Sequence, residues 1–220
     1  MEQSELKRQF VRAEVGVDDS YGKVHSYIEF GNVTYWFGDD RQDADRNVIP
    51  DDQMLAIDIE GLKSFSDIIA EDTRFYYGHP PGKDTSFLVK SKHVFGKHRV
   101  LTKEIRYVRH YLTDAEVSIN TYELFRDTKG SYVRIPKCNF DVEIAVDAMR
   151  NVENYDTFCL FSSDADFVHL ARFLKAKGKK FILVKGGPID KSIKAQADLI
   201  INAQDIKKHI AFVRPRLSKR

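Results

Sequence analysis

Apolar residues recur along the chain as short continuous runs, separated by segments with the apolar spacing of helices. The runs are rich in β-branched and aromatic residues, which favours buried strands. Strands are predicted at residues 24–30, 73–78, 118–125, 132–135, 157–161, 180–184 and 199–201. Helices are predicted at residues 57–69, 141–151, 167–177, 191–197 and 203–213. Continuously apolar strands that alternate with helices indicate an α/β sheet that is mainly parallel and covered on both faces.

The two ends of the chain fall outside this pattern. Residues 1–20 precede the first predicted strand, and we expect them to form a loosely attached N-terminal arm. Residues 21–213 are predicted to form one domain, a size that a single hydrophobic core can support. Residues 214–220 read RPRLSKR and are predicted to be a solvated basic tail.

The apolar runs also bear on the compartment. The longest are only a few residues long, whereas a membrane-spanning helix needs about 20 apolar residues. The N-terminus, MEQSELKRQF, has no apolar core of the signal-peptide type. The two cysteines, Cys138 and Cys159, do not suggest a disulfide framework. We therefore expect a cytoplasmic protein that does not associate with a membrane.

Acidic residues lie where predicted strands end. Glu29 ends the first strand, Asp164 and Asp166 follow the strand at 157–161, and Asp141 begins a helix. In an open α/β sheet such groups meet beyond the carboxyl ends of the strands. Carboxylates that converge repel one another unless a cation lies between them, and oxygen ligands of this kind suit Mg²⁺ or Mn²⁺. The pattern predicts a metal site able to support cleavage of a phosphodiester bond.

Each acid also has an ordinary structural interpretation. Asp141 alone is typical of a helix N-cap, and Asp164 alone is typical of a turn after a strand. Glu29 differs, because it interrupts an apolar strand and a buried carboxylate needs a partner. The set of acids is therefore more informative than any single member.

The segments that carry these acids resemble a known family. FSSDADF at 161–167 resembles the S-G-D-x-D-F signature of the NYN family, which belongs to the PIN-like nuclease fold. FDVEIAVDAM at 140–149 resembles its V-D-V-x-L-A-x-D-A-M segment, and YIEFGNVTY at 27–35 resembles its first strand, I-D-x-x-N-L-x. The resemblance covers about residues 23–205. It implies a PIN-like three-layer α/β/α sandwich with a mainly parallel central sheet.

What the resemblance implies about function is a metal-dependent endoribonuclease that hydrolyses RNA with Mg²⁺ or Mn²⁺. The residues that it places around the metal, as catalytic groups and ligands, are Glu29, Asp141, Asp164 and Asp166. The residues that it places beside them, in orienting roles, are Asn32, Asp147, Ser162 and Ser163. RNA is the expected partner.

The chain departs from the family pattern in three places. Glu29 stands where the family usually has Asp, Ser163 stands where it usually has Gly, and the segment KCNFD before Asp141 is one residue longer. Asp58 is an alternative first-strand acid, but Glu29 is preferred because Asn32 follows it at the family's spacing. The glutamate keeps a second hypothesis open, a PIN-like module that binds RNA or protein without turnover. A phosphatase would need a second acid near the first strand, which lacks one.

Residues 83–110 hold eight Lys or Arg and three His against one Asp and one Glu. One interpretation is a surface that binds RNA phosphates, with aromatic residues such as Phe95 stacking on bases. The candidate contacts are Lys90, Lys92, Lys97, Arg99, Arg106 and Arg109. The alternative is ordinary solvated charge. The long basic segment is also compatible with formation of a homodimer.

Overall fold

The computed structural model describes residues 2–82 and 85–216 of the chain. Its strands are β1 (Val24–Glu29), β2 (Gln53–Ile57), β3 (Asp72–His79), β4 (Val100–Glu104), β5 (Arg106–Tyr111), β6 (Phe125–Asp127), β7 (Gly130–Lys137), β8 (Thr157–Phe161), β9 (Lys180–Lys185), β10 (Leu199–Asn202) and β11 (Ala211–Pro215). Its helices are α1 (Glu2–Glu14), α2 (Phe30–Val33), α3 (Ile59–Ile69), α4 (Ser86–Phe95), α5 (Asp114–Ile119), α6 (Asp141–Arg150), α7 (Val168–Ala176), α8 (Lys191–Lys194) and α9 (Lys207–Ile210).

The centre of the fold is a six-stranded parallel sheet with the order β10-β9-β8-β1-β3-β4. Every residue of β1 and β8 is buried, as expected for strands covered on both faces. One hydrophobic core lies between the sheet and α3 and α4, and a second lies between the sheet and α6 and α7. This arrangement confirms the predicted three-layer α/β/α sandwich.

The strand order reverses at the centre of the sheet. From β1 the chain continues through α3 to β3 on one side, whereas β8 leads through α7 to β9 on the other. Connections that leave neighbouring strands in opposite directions open a crevice beyond their carboxyl ends. That crevice lies at the ends of β1 and β8, where Glu29 and the segment after Phe161 are found.

Two smaller sheets flank this crevice. Strands β5, β7 and β6 form an antiparallel sheet in which Arg106 pairs with Lys137. Because β7 leads directly into α6, this sheet fixes the approach to Asp141. Strands β2 and β11 form a two-stranded antiparallel sheet that brings the C-terminal part of the described chain beside β1 and its following loop.

Two predicted elements are wrong, and a third begins two residues later than predicted. The strand predicted at 118–125 is mostly loop: its first two residues end α5, which a capping box of Thr113 and Glu116 starts, and only Phe125 belongs to a strand, β6. The helix predicted at 203–213 is only α9, and the chain then extends as β11 because β2 offers it a pairing partner. The helix predicted at 57–69 begins at Ile59, because Ile57 belongs to β2 and Asp58 caps α3.

The chain ends also differ from the expected arm and tail. Helix α1 packs against α3 and the core, with Val11 only 2% exposed and Val15 and Val17 buried beside it. The Nε–H of Arg8 also donates to the carbonyl of Ile68 at 3.3 Å. Of the predicted basic tail, Arg214 belongs to β11, and residues 217–220 lie outside the described residues. No helix within the described part of the chain has the length and apolar character needed to cross a membrane.

Candidate metal centre at the carboxyl edge of the sheet

Three aspartates from two segments meet in the crevice. Carboxylate oxygens of Asp141, Asp164 and Asp166 all lie within 4.8 Å of one another. Asp141 is the first residue of α6, and the other two lie in the turn that follows β8. Oxygens that bind one hard cation at about 2.0–2.6 Å lie no more than about 5 Å apart. The spacing of the three carboxylates is therefore compatible with a shared divalent cation.

Asn139 holds Asp141 in place. The Asn139 amide donates to Oδ2 of Asp141 at 2.6 Å, and the Asp141 backbone N–H donates back to Oδ1 of Asn139 at 2.7 Å. Oδ1 of Asp141 is buried and has no hydrogen-bond partner within the described chain. The predicted N-cap role of Asp141 is wrong, because Phe140 occupies that position.

The electrostatic environment of Asp141 is unfavourable to a bare carboxylate. Burial raises the pKa of Asp141, and the charges of Asp164 and Asp166 raise it further, against the lowering effect of the Asn139 hydrogen bond. An unpartnered buried oxygen beside two other acids is the arrangement that a bound cation stabilises. The residues present therefore fit a divalent metal.

Asp164 also shapes the turn that carries Asp166. Oδ1 of Asp164 accepts a hydrogen bond from the Asp166 N–H at 2.9 Å, and this caps the short 3₁₀ turn Ala165–Phe167. The Asp164 N–H donates to Oγ of Ser162 at 3.1 Å. These bonds fold residues 162–166 into a compact turn, so that both carboxylates point toward α6.

Glu29 lies beside the three aspartates but outside their group. It is 8% exposed, and its Oε2 accepts a hydrogen bond from Oγ of Ser162 at 2.6 Å. Burial raises the pKa of Glu29 to about 7, and the charges of Asp141 and Asp164 contribute to the rise while the Ser162 hydrogen bond opposes it. The carboxyl group therefore changes protonation near neutral pH.

Asn32 and Ser163 brace the loop after β8. Oδ1 of Asn32 accepts from the Ser163 N–H and from Nε1 of Trp36, both at 3.1 Å, and Oγ of Ser163 donates to the Gly186 carbonyl at 2.7 Å. Both residues thus orient the turn rather than a carboxylate. The hydrogen bond to Glu29 in the described chain comes from Ser162 rather than from Asn32, and the expectation that Asn32 holds a metal-bound water stays a prediction.

Asp147 has a structural role. It lies six residues along α6 from Asp141, and its Oδ2 accepts from the hydroxyl of Tyr76 at 2.8 Å and from Arg74 at 3.2 Å. Both partners belong to β3, so the contacts anchor α6 to the sheet. The carboxylate of Asp147 is therefore held by β3 and makes no contact with the three aspartates in the described chain.

The alternative first-strand acid, Asp58, serves another purpose. Its carboxylate accepts from the Glu60 N–H at 3.1 Å and caps α3. Glu29 is the first-strand acid whose pKa responds to Asp141 and Asp164, which agrees with the preferred alignment.

The six candidate cations of the basic stretch belong to three elements, and three of the cations form ion pairs. Lys90 pairs with Glu60 at 3.2 Å, Arg99 with Asp72 at 2.7 Å, and Arg109 with Asp127 at 2.8 Å. The six candidate cations are spread over α4, the 3₁₀ turn Lys97–Arg99 and β5. Lys92 lies on α4 and Lys97 in that turn.

Two residues of the basic stretch, Arg106 and Phe95, have surroundings that bear on RNA binding. Arg106 lines a cavity that also borders Cys138 and Asn139, next to the acidic centre. Phe95, expected to stack on bases, is buried and stacks on Phe75 with ring centroids 4.3 Å apart.

Sequence patterns did not indicate several residues at this site. Asn139 precedes α6 and had no motif to mark it, although its spacing from Asp141 suits an Asx turn. Tyr35, Phe212 and Arg214 line a groove beside Glu29 and come from distant parts of the chain. No local periodicity brings such residues together.

Comparison with known proteins agrees with the fold and the acidic segments. The NYN domain family model matches residues 62–204, which include the three aspartates and exclude Glu29. The chain is similar to the low amplitude and bright protein LabA of Synechococcus elongatus, with 32% identity over 87 residues. That match covers 39% of this chain and 47% of the relative, so the chain spans about half the length of that protein.

A solved structure is also similar. A protein of unknown function from Vibrio parahaemolyticus superposes with a TM-score of 0.51 at 16% identity, over 84% of this chain and 94% of that chain. Identity this low supports a shared fold alone. The family model covers well over half of the chain and includes the acidic segments, and the chain therefore belongs to the NYN domain family of PIN-like nuclease domains.

Proposed function

We propose that this protein is a metal-dependent endoribonuclease that hydrolyses phosphodiester bonds of RNA. Membership of the NYN family supports a nuclease. The observation that carries the proposal is the group of three carboxylates, in which a buried oxygen of Asp141 has no protein partner in the described chain. Mg²⁺ or Mn²⁺ is the proposed cofactor, because both prefer carboxylate oxygens.

The proposal assigns separate tasks to the residues of the centre. Asp141, Asp164 and Asp166 would hold the cation, which supplies water activation and stabilises charge on the phosphoryl group. Glu29 faces the groove, and in the metal-free protein its pKa is about 7, in the range where a side chain can take up and return a proton at neutral pH. Ser162 fixes the orientation of Glu29, and Asn139 fixes that of Asp141.

The test is RNA cleavage by purified protein with Mg²⁺, Mn²⁺ or EDTA. Cleavage should require the metal and should be lost in Asp164→Asn, which keeps the side-chain shape but removes a ligand charge. Asp205→Asn is the matched control, because Asp205 is exposed and lies outside the acidic group. Cleavage that persists in EDTA, or that is equal in Asp164→Asn and wild type, would overturn the proposal.

One observation favours a second function, RNA binding without turnover. Glu29 replaces the usual aspartate, lies outside the group of three, and is held by Ser162. Tight binding of RNA without cleavage, together with no gain or loss of cleavage in Glu29→Asp, would support this alternative. A homodimer remains a prediction of the sequence.

A further inference from the structure

A groove of about 720 Å³ opens beside the acidic centre. It begins at Glu29 and extends along the loop after α2 to the face of the β2–β11 sheet. This volume is within the usual range for sites that hold a small ligand. Its principal side chains, besides Glu29, are Tyr35, Tyr77, Phe87, Phe212 and Arg214.

Two aromatic side chains that line the groove are exposed to solvent. Tyr35 is 78% exposed and Phe212 is 47% exposed, although both line the groove. Phe212 pairs across the sheet with Ala56, which also lines the groove and whose small side chain leaves the ring accessible. Large exposed aromatic surfaces that line one concave site are typical of ligand recognition.

Arg214 adds a cation to the same face. It lies two residues after Phe212 on β11, so both side chains point to the same side of the strand. Its Nη2 contacts only the sulfur of Met54, at 3.8 Å, and its buried Nε has no acceptor within the described residues. No carboxylate of the described chain forms an ion pair with it. A guanidinium placed in this way is suited to an anionic ligand such as a phosphate.

A second cavity continues from the groove. Ile105 and Cys138 line both spaces, so the two are neighbours. Arg106 and Lys137, which face each other across β5 and β7, line the second cavity. Neither forms an ion pair with a described carboxylate. Cations thus lie in the groove and in the cavity next to it, as a strand with regularly spaced phosphates would require.

We propose that the groove binds one unpaired nucleotide of an RNA strand, with its base stacked on Tyr35 and Phe212 and its phosphate held by Arg214. The identity of the ligand rests on the proposed function. A base can lie on these rings only if its face is free, so the strand must be single-stranded at this position. All three residues lie outside the 62–204 segment matched by the family model.

The experiment measures binding in EDTA, where turnover does not interfere. Fluorescence anisotropy is recorded for a labelled single-stranded RNA of mixed sequence, for the same strand with abasic sites, and for the strand annealed to its complement. The intact single strand should bind most tightly. Tyr35→Ala and Phe212→Ala should each weaken its binding about tenfold, which corresponds to about 1.4 kcal/mol.

Controls separate stacking from loss of folding. Tyr35→Phe keeps the ring and should bind as wild type does. Phe173→Ala removes an aromatic ring of α7 that is similarly exposed and does not line the groove, and it should also have no effect. Arg214→Gln should weaken binding of the intact and the abasic strands equally, because it removes a phosphate contact.

Each outcome has one meaning. Equal binding of duplex and single strand, or unchanged binding in both Tyr35→Ala and Phe212→Ala, overturns the nucleotide site even if RNA is cleaved. Binding of a peptide rather than any RNA overturns it as well. If the three strands rank as expected but wild type does not cleave with metal, the site stands and the proposed catalytic function fails.

Discussion

The substitution Glu29→Gln removes a buried carboxyl group while preserving its shape and its ability to accept the Ser162 hydrogen bond. In the folded, metal-free protein, burial and the nearby aspartates raise the pKa of Glu29 from an ordinary value of 4.5 to about 7. In the unfolded chain the same group ionises near the ordinary value. Between these two pH values the folded state retains a proton that the unfolded state has lost.

The sign of the effect follows from this difference. Below pH 4.5 the group is protonated in both states and has no pH-dependent effect on stability. As the pH rises from 4.5 toward 7, the unfolded chain loses the Glu29 proton while the folded protein still holds it. The free energy of unfolding of wild type therefore falls relative to that of the variant. The loss is complete above about pH 7 and amounts to about 3.5 kcal/mol, at about 1.4 kcal/mol for each pH unit between the two pKa values.

The assay is urea unfolding in EDTA, followed by the fluorescence of Trp36, the single tryptophan of the chain. Trp36 is buried and stacks on Phe161 near the site, so its emission reports loss of the native core. The free-energy difference between Glu29→Gln and wild type should grow with pH from near zero to its full value. Glu123→Gln, which removes an exposed carboxyl group, should show no such growth.

Two results would refute the reasoning. A difference between Glu29→Gln and wild type that stays constant across this pH range would mean that Glu29 titrates normally. Greater stability of wild type above pH 7 would mean that the charged carboxylate is favoured and that some positive group faces it. Either result would also remove the support for Glu29 as a proton-exchanging group.

Three further substitutions test separate parts of the centre. Ser162→Ala removes the hydrogen bond that lowers the pKa of Glu29, so this pKa should rise. The rising limb of a pH–rate profile for RNA cleavage should therefore move to higher pH, and a limb that does not move would contradict this prediction. Mn²⁺ at about 100 times its Kd should raise the unfolding free energy of wild type by about 2.7 kcal/mol, measured by urea titration, and should leave Asp141→Asn unchanged. Asp147→Asn should destabilise the fold by roughly 2 kcal/mol, because Arg74 loses its nearer carboxylate partner and keeps only Asp72 at 3.8 Å, while metal binding by the folded variant stays as in wild type.

Local signals accounted for the central layer of the fold. The sequence predicts strands β1, β8 and β9, because a strand buried on both faces is a continuous run of apolar residues. It also predicts helices α6 and α7, because a helix buried on one face has apolar residues at helical spacing. Tertiary pairing decided the elements that were missed. Strand β11 exists because β2 lies beside it, and the two are separated by most of the chain.

The candidate centre divides in a similar way. The short segment around Asp164 and Asp166 could be identified from the sequence, because its spacing matches a family signature and its turn is formed by local hydrogen bonds. Helical spacing alone already indicated that Asp147, six residues after Asp141, faces away from it, but the sequence did not identify the partners of its carboxylate. Its partners, Arg74 and Tyr76, come from β3, and only packing of α6 on the sheet brings them within hydrogen-bond distance.

The sequence by itself determined an α/β sandwich with acids at the ends of its central strands, because strand burial and strand-end position follow from residue order. Only the tertiary structure decided how those acids are arranged: Asp141 joins Asp164 and Asp166, while Glu29 is buried next to them and bonded to Ser162. It also decided that the terminal described elements, α1 and β11, pack onto the domain. The physical reason is that distances between segments depend on packing and strand pairing, which local patterns do not encode.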